Sequence, residues 1–156
     1  MAAYARQREA QAARTRAVLL ERHRFVHAAA CTIERVVKPA LGDVAQRLNR
    51  HGGGGLLEER AADRRQGQRI TLWMSLEGPV VVPARVDRNP YLQLDVAVLS
   101  RSVTVWEGDM WNKVGSSRRT EPFTLEELTT EAITQRAIAI LRRTVTYGDV
   151  AREEVP

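Results

Sequence analysis

The chain has little that would staple it or anchor it. Its one cysteine, Cys31, excludes an internal disulfide, and a lone thiol suits a reducing compartment. No stretch reaches 18 uninterrupted apolar residues, the minimum read as a membrane-spanning helix. The basic start is not followed by the apolar run of a secretory signal. These absences point to a cytoplasmic protein with no membrane association. Lysine is nearly missing too: of 24 basic residues, all but Lys38 and Lys113 are arginine. Arginine forks suit bidentate contacts with phosphates or carboxylates, although a GC-rich genome produces the same bias.

Catalytic and cofactor signatures are also missing. The sequence holds no nucleophile elbow, no zinc-binding helix pair and no dinucleotide fingerprint. The glycine run HGGGG, residues 51–55, is followed by no Lys-Ser/Thr and preceded by no strand, so it is not a phosphate loop. It reads instead as the end of a helix. No cofactor is expected and no metal site.

What is present is globular. The chain has 156 residues, with 44% apolar and 28% charged, enough to bury one ordinary core unaided. Its net charge of +5 is unevenly placed. Residues 1–51 hold ten basic and four acidic residues, a net of +6, and the remainder is close to neutral.

Residues 2 to about 49 read as one long helix. The run Ala2–Val37 has no Gly or Pro and is rich in Ala, Arg, Gln and Glu, which suit a helix. From Leu19 an apolar stripe continues through Val26, Ile33, Val37, Leu41, Val44 and Leu48 at helical spacing. Pro39 removes a backbone donor and predicts a kink over 35–39. Period-two alternation then marks strands. A strand over Gly55–Arg60 is preferred to a short helix over 56–65. RITLWMSLEG (69–78) turns Ile70, Leu72, Met74 and Leu76 one way. PYLQLDVAVLS (90–100) turns Leu92, Leu94, Val96 and Val98 one way, and RSVTVWEGDMW (101–111) turns Val103 and Val105 inward. Gly108 is expected to mark a bulge. Residues 79–90, with three prolines, are an irregular link with a short edge segment at Val80–Val82, and 115–122 is a loop.

FTLEEL opens the last helix. Thr124 and Glu127 form a capping box, and Phe123 and Leu128 a hydrophobic staple. The helix is expected from Leu125 to about Val145, with Ile133, Ala137, Ile140, Leu141 and Val145 inward. The expected fold class is α+β: a long N-terminal helix, a three- to four-stranded antiparallel sheet, and a C-terminal helix packed on one sheet face, making a two-layer sandwich. Residues 1–18 are a basic helical extension, 19–147 an α-β-β-β(-β)-α domain, and 148–156 a tail.

The reverse face of such a sheet carries Thr71, Trp73, Ser75, Tyr91, Gln93, Asp95 and Trp106. Aromatics on a face left wet mark a contact surface, so Trp73, Tyr91, Gln93, Asp95 and Trp106 are the candidate partner-binding residues. His23, His27 and Cys31 lie along one helical strip. Eight residues of helix rise about 12 Å, so all three cannot meet one ion, and the strip reads as the margin of a packed face. His51 is the only other histidine. Glu107 and Asp109 share one strand face and could act as an acid–base or metal pair, with Trp106 beside them at a sheet edge; with no histidine nearby in sequence they read first as surface charges. Arg6, Arg8, Arg14, Arg16, Arg22 and Arg24 are candidates for nucleic acid, although they run round the helix and no nucleic-acid motif accompanies them. The resulting expectation is a non-enzymatic interaction or assembly module, acting as a homo-oligomer or with a protein partner. Arg-mediated nucleic-acid binding by the N-terminal helix is the alternative.

Overall fold

A computed structural model describes residues 2–109, 118–120 and 122–153, with side chains except at 118–119 and 147–153. Residues 2–50 form one helical rod in three segments: α1 (Ala2–Thr32), a π-helical turn (Ile33–Val37) and α2 (Lys38–Arg50). The π turn is how the rod accommodates Pro39. Proline has no N–H for the carbonyl four residues back. The ladder slips to a five-residue reach instead, and Lys38 N–H donates to the Ile33 carbonyl. The predicted kink is thus a widened turn that keeps the rod continuous. The rod ends where the glycines begin. Gly52 adopts φ 83°, and Gly53 N–H closes back on the Leu48 carbonyl at 3.0 Å, the glycine-dependent wrap that satisfies a last-turn carbonyl.

A meander of antiparallel strands follows: β1 (Gly54–Arg60), β2 (Arg69–Ser75), β3 (Tyr91–Ala97), β4 (Ser102–Gly108) and the short β5 (Arg118–Arg119), in the order β1-β2-β3-β4-β5. The strand preferred over 55–60 is present. The end of the strand expected at Met110 and Trp111, loop residues 115–117 and 121, and the last three residues of the tail lie outside the described residues; the rest of the expected tail, 148–153, is not a tail but continues the last helix. Within 115–122, however, Arg118 and Arg119 pair with β4 rather than looping free. Val80–Val82 forms no strand; Val81 and Val82 are both 73% exposed.

Strand parity sorts the sheet into two faces. The register aligns Leu57, Leu72, Leu92 and Glu107 in one cross-strand row, and Glu59, Ile70, Leu94 and Val105 in the next. This face meets α2 over β1 and β2, and α3 (Thr130–Glu153) over β3. The core joins Ala29, Ile33, Val37, Leu41 and Val44 of the rod to Ile70, Leu72, Met74, Leu92, Leu94, Val103 and Val105 of the sheet, and to Ile133, Ala137 and Ile140 of α3. The α+β two-layer arrangement is as the apolar patterning implies. Each large side chain withdrawn from water contributes roughly 1.5–3 kcal/mol toward it.

Several boundaries differ from the sequence reading. Leu76 is 40% exposed because β2 stops at Ser75, and Val145 is 47% exposed because α3 has turned its Thr144 face inward. Leu19 is 48% exposed, so close packing along the stripe begins further on, at Phe25 and Ala29. The capping box at Thr124 and Glu127 forms, but it caps a single 3-10 turn (Leu125–Glu127). Leu128, at φ −81° and ψ 77°, leaves helical geometry and goes into the core at 5% exposure. The chain restarts with Thr129, whose Oγ1 accepts from Ala132 N–H at 3.1 Å and so caps α3. Gly108 makes no bulge, for pairing runs unbroken through Tyr91 and Gly108. Its missing side chain is space for a ring: a Cβ there would lie 2.2 Å from Tyr91 Cε1.

Candidate interaction surfaces

The largest uncovered element is the amino-terminal half of α1. Every residue of 2–20 is exposed, a length of about 28 Å at 1.5 Å per residue. Tyr4 is 65% exposed, and Val18, Leu19 and Leu20 are 45%, 48% and 52% exposed. Just beyond this stretch an ion pair joins Glu21 to Arg101, at φ 51° in the β3–β4 turn. Arg6, Arg8, Arg14, Arg16 and Arg24 are exposed and Arg22 is half-buried. None of the six forms an ion pair among the described residues.

The reverse face of the sheet is not the wet aromatic platform expected. Trp73 is 8% exposed and Tyr91 3%. They face away from Leu72 and Met74, and their rings pack tilted at 46° with centroids 5.2 Å apart. Glu58 accepts the Trp73 indole N–H at 3.2 Å. Alternation places the two rings on this face but does not report occlusion, which depends on flanking rows and on rings that lie down along the sheet. Beside them runs a polar ladder. Thr71 Oγ1 donates to Gln93 Oε1 at 3.3 Å, and Gln93 Nε2 donates to Asp95 Oδ2 at 3.1 Å. Asp95 receives the Arg69 guanidinium at 2.5 and 3.2 Å. Gln93, Asp95 and Trp106 are half-buried. The structure therefore gathers the five proposed partner-binding residues on one face but withdraws two of them from solvent. Glu58 and Arg69 join the face without having been singled out, although the same period-two count places both there.

Glu107 is not a surface charge. Its parity with Val103 and Val105 points it at α3, where it is 6% exposed. Arg136 donates to one carboxylate oxygen at 2.7 Å and Arg143 to the other at 2.8 Å. Asp109 lies 3.7 Å from Arg143, and Thr144 Oγ1 donates to the Asp109 carbonyl at 3.3 Å. Arg136 also stacks over Phe123, 4.5 Å from the ring centre. Each carboxylate oxygen of Glu107 accepts from one guanidinium. The arrangement ties α3 to β4. The shared parity was the signal available in the sequence.

The histidine strip is likewise dispersed. His23 and His27 are exposed, Cys31 is half-buried, and the only contact among them is Cys31 Sγ to His27 Nε2 at 3.9 Å. His51 Nδ1–H donates to the Arg47 carbonyl at 2.7 Å. Among the described residues no three His, Cys, Asp or Glu side chains converge as a metal site, and no helix is long and apolar enough to cross a membrane.

One feature of this surface carries no motif at all. A groove of about 480 Å³ opens between α1, the β1–β2 loop (61–68) and the start of the β3–β4 turn. The loop is tightly built. Asp63 Oδ1 accepts the N–H groups of Arg65 and Gln66, each at 2.7 Å. Those two bonds, Arg65 first, hold the Asp63 carboxyl below the ordinary aspartate range. Gly67 presses so close to β3 that a Cβ would lie 2.0 Å from the Val96 carbonyl oxygen. The DRRQG string signals a turn through its Asp and Gly. That the turn faces α1 is a tertiary fact. No protein-family model, curated protein or solved structure matches this chain.

Proposed function

We propose that this chain is a non-enzymatic assembly module whose working element is the amino-terminal helix, docking against a second copy of the chain or against a partner protein. The observation that carries this reading is the uncovered stretch 2–20, with Val18, Leu19 and Leu20 each about half exposed. An isolated helix of that length is marginal in water even when rich in alanine. Packing supplies what propensity does not. The apolar cluster at 18–20 supplies a contact that the body leaves uncovered. The half-buried Trp106, Gln93 and Asp95 of the reverse face are the second proposed contact. The test is the solution mass of the full chain and of a form lacking residues 1–18. A dimer or larger species that becomes monomeric on truncation supports the proposal. A strictly monomeric full chain at tens of micromolar overturns self-association.

A second reading, Arg-mediated nucleic-acid binding, is favoured by one specific observation: among the described residues the six arginines of α1 have no carboxylate partners. Counterion release makes such binding fall steeply with salt, whereas an apolar helix interface does not. Loss of duplex DNA or RNA binding on raising salt, and on replacing Arg14 and Arg16, would favour this reading over assembly.

A further inference from the structure

The groove beneath α1 has a composition of its own. Its floor is aliphatic, from Val26, Ala30 and Val98, and it contains no aromatic ring for stacking. Its rim carries three arginines from opposite sides: Arg22 from the helix, and Arg64 and Arg65 from the loop. None of the three forms an ion pair among the described residues. The single acid at the rim, Asp63, has one carboxylate oxygen occupied by the loop's own N–H groups. The loop is held in place by the Asp63 N–H donating to the Gln66 carbonyl and the Val96 N–H to the Gln68 carbonyl, both at 2.9 Å. The guanidiniums are therefore offered from a fixed backbone. About 480 Å³ is the size of a small-ligand cleft.

We infer that this groove binds a phosphate monoester with an aliphatic body. The charged side chains that line the groove, three guanidiniums and one carboxylate, sum to +2, which a phosphate monoester near neutral pH comes close to matching. A monocarboxylate would match half of it. Guanidinium forks on two sides suit the three free oxygens of such a head, and the Val/Ala floor takes a saturated chain. A nucleotide is disfavoured because nothing in the groove stacks on a base. This inference is independent of the assembly proposal, since it uses the body side of α1 and not residues 2–20.

The test is titration of the full chain with decyl phosphate below its micelle concentration, read by the methyl signals of Val26, Ala30 and Val98. Decanoate, decanol and inorganic phosphate serve as comparison probes. Saturable binding tighter than about 1 mM is expected for decyl phosphate, with each comparison probe at least about tenfold weaker, the loss of roughly one charge-assisted contact or of the apolar body. Replacing Arg64 and Arg65 together by Glu should weaken decyl phosphate by at least the same factor with an unchanged melting curve. Replacing Arg6 and Arg8, which lie far along the helix, should leave decyl phosphate binding unchanged. Equal binding of decanol, equal binding of inorganic phosphate, equal sensitivity to the Arg6 and Arg8 replacements, or no saturable shift of the three methyl signals would each overturn the inference. If decanoate binds as well as decyl phosphate, the charge match is wrong and the assignment to phosphate fails.

Discussion

At the scale of single residues, two contacts decide more than their sequence neighbourhood suggests. Glu107 is a carboxylate placed where the pattern calls for a third valine, and it is tolerated because Arg136 and Arg143 meet both of its oxygens. Glu107→Gln removes one buried charge while its two arginine partners keep access to water. It should cost about 2–3 kcal/mol, read as a lower urea midpoint. A change below about 0.5 kcal/mol would mean that the cluster does not clamp α3. Gly108 is the converse, an atom that must be absent. Gly108→Ala pushes a methyl into the Tyr91 ring, and overpacking of that kind costs about 1–3 kcal/mol. It should also disturb the near-ultraviolet dichroism of the Trp73–Tyr91 pair. The inward direction of Glu107 was legible from its parity with Val103 and Val105. The role of Gly108 was not, because a glycine in a strand reads equally as a bulge or as room for a neighbour.

At the scale of elements, the long rod is tied to the sheet edge by charge as well as by apolar contact. Lys38 of α2 bridges Glu34 and Glu59 at 3.0 and 3.1 Å. The hydrogen bonds from Lys38 and then Gln68 hold the Glu59 carboxyl below the usual glutamate range, and those to Glu34 and Glu59 raise Lys38 above the usual lysine value. For Glu59 the folded pKa is the lower one. Its stabilising contribution is complete above the unfolded value and is lost as pH falls through the folded value. For Lys38 the folded pKa is the higher one, so its contribution persists until pH rises past the lysine range. The melting temperature of Glu59→Gln should thus fall below that of the parent at pH 7, and the difference should shrink as pH drops below the ordinary glutamate range. A difference that is constant with pH would refute the pairing. The β1–β2 loop is a second junction. Gly67→Ala places a methyl against the Val96 carbonyl and should lower stability by about 1–3 kcal/mol. Because it lifts Arg64 and Arg65 from the groove, it should weaken decyl phosphate binding too. Among the elements, the strands were read closely because alternation over seven residues is hard to imitate. The last helix was misplaced at its start because a capping box describes one turn and does not say whether a second follows.

At the scale of the whole molecule, the body and the projecting helix should separate by experiment. Residues 2–18 hold no buried side chain, so on removal of 1–18 the melting temperature of dilute protein should stay within a few degrees of the parent while the solution mass falls. Backbone amides of 2–20 should exchange quickly in dilute protein and slowly in the assembled form. Protection independent of concentration would argue against docking. Composition and periodicity by themselves determined the α+β class, the single core, the inward valines and leucines of β2, β3 and β4, and the long helix with its concentration of arginine. All of these follow from local repeats of 2 and 3.6 residues and from glycine and proline punctuation. Only the tertiary structure decided that Trp73 and Tyr91 are withdrawn from water, that Glu107 is an anchor for α3, and that Arg22 faces Arg64 and Arg65 across an aliphatic groove. Those outcomes depend on which distant segments come to lie side by side, and a periodic pattern reports the face a side chain takes without reporting what covers it.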